Sequence, residues 1–189
     1  MTMPTRLRIT RALITKAVIN RTAHALGLGQ NNRLVLDSQD DISVLADFAF
    51  YEVLQQGHSL VQKYQEEVGP SDELEQALLD AMVKAKTGLF RVEGVWNQTG
   101  QLDMRSLVGD TRALSLTDIQ LSQTAQQGLI VFFRPLVLSD FSMTSGMAFV
   151  FTQELEQKLI KHWAKRSSAE RYAKFFNLSK STGIPTIFS

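Results

Sequence analysis

The side chains that could do chemistry in this sequence are few and widely spaced. Its three histidines, His24, His58 and His162, lie far apart, and it contains no cysteine. There is therefore no thiolate nucleophile or zinc ligand, and no spacing typical of metalloproteases, serine hydrolases, phosphate-binding loops or calcium loops occurs. The sequence predicts no metal and no cofactor. It favours a non-enzymatic protein over an enzyme whose site is assembled from distant residues near a sheet.

One polar segment, SDFSMTSGM at residues 139–147, concentrates hydroxyl groups around a glycine. Ser142 and Thr144, with Arg134 shortly before them, are candidates for a ligand pocket in which hydroxyls and a guanidinium hold a small molecule. The alternative, which we favour, is a hairpin connection whose hydroxyls bond to their own backbone.

The beginning of the chain is basic and free of acids up to Asp37. Arg6, Arg8 and Arg11 are spaced so that they could contact nucleic-acid phosphates as an N-terminal arm. Organelle transit peptides are also rich in arginine and poor in acids, but they contain serine, and the first serine here is Ser38. A third interpretation is that the basic segment pairs with acids elsewhere in the protein.

The segment that follows has the opposite charge. Residues 37–80 contain eleven acidic side chains and a single basic one, Lys63, whereas the whole chain has a net charge of only +1. The acidic segment begins where the basic one ends. We therefore predict charge complementarity between the two, either within the chain or across a symmetric dimer.

The clearest cationic pattern lies near the C-terminus. Lys158, Lys161, His162 and Lys165 follow the i, i+3, i+4, i+7 spacing of one helix face, and Arg166 comes next. Such a face could bind phosphates or anionic lipid headgroups. The alternative is an ordinary solvated helix face.

Apolar periodicity predicts helices over residues 5–26, 39–67 and 72–86. The second would be the longest, about 43 Å at ~1.5 Å per residue, with Gly57 as a candidate bend. The short break at Gly69-Pro70 predicts that it forms a long antiparallel pair with the third. These helices would form an N-terminal layer over residues 1–87.

The period changes from 3.6 to 2 after Gly88. Residues 97–100 predict a hairpin turn, and residues 129–138 a central strand in which Pro135 marks an edge or a bulge. We predict an α+β fold with four or five antiparallel strands over residues 88–151, forming a small curled sheet or barrel. A C-terminal helix and an extended tail over 152–189 complete one compact domain.

Together these features favour an accessory or regulatory protein that interacts with other proteins and forms homodimers through its long amphipathic helices. The first alternative is a protein that binds single-stranded RNA or DNA through its basic ends. No run of 18 apolar residues and no apolar signal-peptide core occurs, so the sequence predicts no transmembrane segment and a cytoplasmic location.

Overall fold

The computed structural model describes residues 5–30, 33–109 and 112–182, without the side chains of four of them (Leu7, Arg11, Gln30 and Gln39). The chain divides into two compact units, Met1–Lys84 and Ala85–Ser189. The described residues form eight α-helices, a short hairpin and a five-stranded antiparallel sheet that does not close. This confirms the predicted α+β class, with an open sheet rather than a barrel. The single compact domain stays a prediction.

The first unit begins with two helices, α1 (Thr5–Leu13) and α2 (Lys16–Leu26), where the sequence predicts one. Thr15 lies between them with an extended backbone, and its hydroxyl oxygen accepts a hydrogen bond from the Val18 amide at 3.3 Å. Threonine in this conformation caps a new helix, which explains the break. Gly27 ends α2 in the left-handed region (φ 76°), as predicted.

A short hairpin follows α2, where the sequence predicts a loop. Its strands are β1 (Gly29–Gln30) and β2 (Arg33–Leu34). Leu34 and the next two residues, Val35 and Leu36, are exposed to 42%, 40% and 36%. The hairpin therefore ends in three consecutive aliphatic side chains that are open to solvent.

The prediction of a single long helix over residues 39–67 is wrong. The structure has two shorter helices, α3 (Gln39–Tyr51) and α4 (Leu60–Glu67), so the predicted long antiparallel pair is shorter than expected. Between them the chain turns at Gln56 and Gly57, which both have positive φ (55° and 87°). A right-handed helix cannot pass through two such residues, so the apolar rhythm on the two sides belongs to separate helices.

Helix α5 (Glu73–Lys84) completes the first unit and corresponds to the helix predicted over residues 72–86. Its cap is Asp72, whose Oδ1 accepts a hydrogen bond from the Glu75 amide at 2.8 Å, rather than Ser71. An aspartate in this position satisfies an amide at the helix start and also suits the helix dipole.

The sheet of the second unit confirms the change of period after Gly88. All strand pairs are antiparallel, the order in space is β5-β4-β3-β6-β7, and the turn at residues 97–100 joins β3 to β4 as predicted. The strands are β3 (Gly88–Trp96), β4 (Gln101–Ser106), β5 (Ala113–Thr117), β6 (Ile130–Val137) and β7 (Ser142–Phe151).

Pro135 lies where the sequence predicts a disturbance in β6. The pairing of β6 with β7 shifts register between Phe133 and Pro135, and Phe133 is also the last residue of β6 that pairs with β3. Proline has no amide hydrogen to donate to a neighbouring strand. It is tolerated here because the bulge interrupts the pairing with β7 and β3 no longer pairs with β6 at this position.

Alternate residues of β6 supply two separate cores. On one face, Val131 and Phe133 pack with the side chains of β3, β4, β5 and β7 and with Leu121 of the short helix α6 (Ile119–Thr124). On the other face, Phe132 packs against aromatic side chains of the C-terminal helices. The sheet is therefore buried on both sides of β6, which fits its nearly continuous apolar run.

The C-terminal segment forms α7 (Glu156–Ala164), which follows a turn of 3₁₀ helix, and α8 (Ser168–Thr182). The chain is interrupted between them at Ser167. The predicted extended tail, residues 183–189, lies outside the described residues.

Candidate functional site

The predicted cationic face lies on α7 and is joined by cations from α8. We call this the basic surface and define it by Lys158, Lys161, His162, Lys165, Arg166 and Lys174. The three lysines that were predicted to bind anions, Lys158 and Lys161 of α7 and Lys165 directly after it, are exposed, and Arg166 is half-buried. Arg171, on the first turns of α8, lies over the Trp163 ring with its guanidinium carbon 4.1 Å from the ring centroid. The spacing that the sequence shows is therefore a real helical face.

His162 lies at the centre of the basic surface. The pKa of its imidazole is lowered, first by burial and then by four neighbouring cations: Arg166, Lys174, Lys158 and Lys165. Arg166 Nη1 lies 3.2 Å from His162 Nδ1, where a neutral imidazole accepts a hydrogen bond. Arg166 is therefore in direct contact with His162, and the positive charge of its neighbours disfavours the imidazolium form.

Few acids compensate these charges. Glu156 at the start of α7 is held by Arg91 of β3, with Oε1 2.6 Å from Arg91 Nη2, and Glu170 accepts hydrogen bonds from Ser167. In residues 5–30, 33–109 and 112–182, no acidic side chain forms an ion pair with the four lysines of the basic surface. The charge of Arg166 also contributes to lowering the pKa of Glu170, so the uncompensated charge of the basic surface is that of its lysines.

The basic surface is also poor in exposed apolar area. Of the large apolar side chains that are well exposed in the described part of the chain, none lies between residues 152 and 182. The apolar side chains of α7 and α8 face inward, as Leu159 and Tyr172 do. A partner on this surface would therefore be held mainly by charge.

The basic N-terminal segment has a different role in the structure. Arg8 forms an ion pair with Glu75, a buried residue of the acidic segment, and its guanidinium lies over the Tyr64 ring. Arg6 lies over the Phe50 ring, 5.6 Å from the centroid. Helix α1 is thus packed against the other helices of the first unit. The ion pair agrees with the predicted charge complementarity. The side chain of Arg11 is not among those that the structure describes.

The predicted ligand-pocket residues are close to each other and buried. Thr144 donates a hydrogen bond from Oγ1 to Asp118 Oδ2 at 3.0 Å, and Arg134 donates from Nη1 to the Ala85 carbonyl at 3.1 Å. Ser142 is the first residue of β7. These bonds tie strands and loops together, and a ligand at this place stays a prediction.

Two features escaped the sequence analysis. Asp118, at the end of β5, caps α6 through the Leu121 amide and also binds Thr144 of β7, so that one carboxylate joins the two edge strands of the sheet. The other is an open groove beside Trp96 at the tip of the β3–β4 hairpin. The Asn97–Gly100 turn was visible in the sequence, but the groove depends on how the side chains flank it.

Within residues 5–30, 33–109 and 112–182, no three His, Cys, Asp or Glu side chains gather closely enough to hold a metal ion. No helix in these ranges is both long and apolar enough to cross a membrane.

Comparison with known proteins places the chain in a family. No curated protein and no solved structure matches it. A family model described as a family of unknown function, DUF7986, matches residues 3–189. Because the match extends over nearly the whole chain, the protein belongs to the DUF7986 family.

Proposed function

We propose that this protein is a non-enzymatic accessory protein that binds nucleic acid, with the phosphate backbone held on the basic surface. The observation that carries the proposal is the row of exposed Lys158, Lys161 and Lys165 beside Arg166, with no ion-pair partner for these lysines among the described residues. Phosphate groups would replace the missing counter-charges and release condensed cations from the nucleic acid.

The basic surface has little exposed apolar area, which favours nucleic acid over a protein as its partner. Protein interfaces combine a largely apolar, well-packed centre with a polar rim, whereas backbone binding to nucleic acid needs only cations and hydrogen-bond donors. A phosphate-directed surface of this kind would read little sequence. We propose that the protein acts in the cytoplasm.

Removing charge from the basic surface is expected to weaken binding. The triple variant Lys158→Gln/Lys161→Gln/Lys165→Gln should bind a labelled mixed-sequence oligonucleotide about tenfold less tightly at low salt, because up to three phosphate contacts are lost. Its plot of log affinity against log salt should also be flatter by about 2, at ~0.7 per contact for single strands. Fluorescence anisotropy over a salt series measures both quantities.

A matched control removes three exposed lysines elsewhere, in the variant Lys16→Gln/Lys84→Gln/Lys86→Gln. It has the same net charge as the test variant and should bind nearly as well as the wild type. Equal losses in the two variants would mean that only net charge matters. A wild-type protein that binds no oligonucleotide at low salt would overturn the proposal.

Self-association is a second candidate, favoured by the three consecutive exposed side chains Leu34, Val35 and Leu36. Burying them against a second copy would remove apolar area from water. We expect the double variant Leu34→Ser/Leu36→Ser to shift a dimer toward monomer in light scattering, with the same folded circular dichroism spectrum. A wild-type protein that is monomeric at all concentrations would exclude this candidate.

A further inference from the structure

The tip of the β3–β4 hairpin presents an aromatic ring to solvent. The sequence contains two tryptophans; Trp96 is 58% exposed, whereas Trp163 is half-buried. A single exposed apolar side chain is common and needs no explanation. Here, however, the exposed ring is held in a fixed orientation and lines a groove, and both features need an account.

The orientation of the indole is fixed by a cross-strand hydrogen bond. Trp96 Nε1 donates to Asp103 Oδ2 at 2.9 Å. Gly94 lies beside this contact, and a Cβ there would be 3.1 Å from the same carboxylate oxygen and 3.5 Å from Nε1. The glycine thus leaves room for the indole and the carboxylate to meet. A ring held in this way loses little rotamer freedom when a ligand stacks on it.

The groove beside the ring is lined by uncharged side chains. Apart from Trp96, its lining consists of one aliphatic residue, three amide side chains and one hydroxyl: Val95, Asn97, Gln98, Gln101 and Thr99. Each amide offers both a donor and an acceptor. A flat aromatic platform edged by such groups matches a nucleobase, which has a π-face and neutral donors and acceptors along its edges.

The ring and the basic surface belong to the same unit and are linked along β3. Arg91 precedes Trp96 by five residues and so lies about 17 Å from it along the strand. Its guanidinium binds Glu156 in the first turn of α7. Lys158 follows two residues later. A few nucleotides of an extended strand would cover the part of the path between Trp96 and Arg91.

We propose that Trp96 stacks on an unpaired base of a strand whose phosphates contact the basic surface, which makes the protein selective for single-stranded nucleic acid. The inference rests on the proposed function. In a duplex the bases are stacked on one another and their faces are not available to the ring. Stacking would add affinity for single strands without reading their sequence.

The two tryptophans allow the stacking to be observed directly. In the full-length Trp163→Phe variant all tryptophan emission comes from Trp96, and in Trp96→Phe it comes from Trp163 under Arg171. We expect a single-stranded pyrimidine oligonucleotide to quench the first variant strongly, and a duplex of the same length to leave it unchanged. Trp96→Ala should bind single strands about tenfold less tightly, whereas Trp96→Phe should keep most of the affinity, because its ring still stacks.

The possible outcomes separate the inference from the function on which it rests. Salt-dependent binding of single strands that leaves Trp96 emission and Trp96→Ala affinity unchanged would overturn the inference alone. No binding of any oligonucleotide to the wild type would overturn both. Quenching by neutral oligosaccharides at similar concentrations would identify the groove as a site for sugars and would also contradict the inference.

Discussion

Replacing Glu75 with alanine should lower the free energy of unfolding of the first unit by about 3 kcal/mol, as expected when one partner of a buried ion pair is removed. Glu75 is only 6% exposed. Its Oε2 accepts hydrogen bonds from Arg8 and, at 2.7 Å each, from the amide and the hydroxyl of Ser71. Alanine would leave a largely buried guanidinium and an amide without an acceptor.

Urea denaturation of the full chain measures this loss, with two further variants for comparison. Glu75→Gln keeps an acceptor for Ser71 but loses the charge, so its loss of stability should be intermediate. Glu73→Ala removes an exposed carboxylate from the same first turn and should cost less than about 1 kcal/mol. An unchanged unfolding midpoint in Glu75→Ala would show that the ion pair of Arg8 with Glu75 contributes nothing to the stability of the unit.

The same residue makes stability depend on pH. Burial, the largest single influence, raises the pKa of Glu75, but hydrogen bonds from Ser71, the charge of Arg8 and a hydrogen bond from Thr5 outweigh it, so the pKa lies below its ordinary value of 4.5. The resulting stability is therefore present above about pH 4.5 and is lost as the pH falls through the lowered pKa. The difference between wild type and Glu75→Gln should shrink over that acidic range.

Features of the fold that depend on residues adjacent in the sequence could be predicted from the sequence. The alternation after Gly88, the turn at residues 97–100 and the disturbance at Pro135 each follow from a few adjacent side chains. The break at residues 52–59 was predicted only as a candidate bend at Gly57, because the apolar rhythm of α3 continues by chance into α4. Only the positive φ of Gln56 and Gly57 reveals the turn, and glutamine gives no local signal for that conformation.

The candidate site was predictable only in part, for a related reason. The spacing of Lys158, Lys161 and Lys165 is visible because one helix carries them. The pairing of Arg8 with Glu75 joins residues 67 positions apart, and that of Thr144 with Asp118 joins residues 26 apart. Charge totals indicated that the two N-terminal segments are complementary, but which arginine faces which acid depends on the packing of α1, which no local pattern encodes.

Truncating Phe132 is expected to have the largest effect of any single change considered, about 3–5 kcal/mol. The ring is fully buried, and its centroid lies 4.7 Å from that of Phe175, 5.7 Å from Phe149 and 5.8 Å from Tyr172. Alanine would remove the ring that joins β6 to α8 and would leave a cavity. Because α7 and α8 carry the basic surface, loss of this packing would also loosen the attachment of the basic surface to the sheet.

Phe133→Ala provides a matched control, because the next residue of β6 is equally buried but faces the other core, where it packs against Phe90. Both variants should be destabilised in urea. Only Phe132→Ala should speed amide hydrogen exchange in α8 under native conditions and weaken oligonucleotide binding at a temperature where both variants remain folded. Equal exchange of α8 in the two variants would mean that the C-terminal helices are held by contacts other than this ring. The basic surface would then owe its geometry to the helices themselves rather than to their docking on β6.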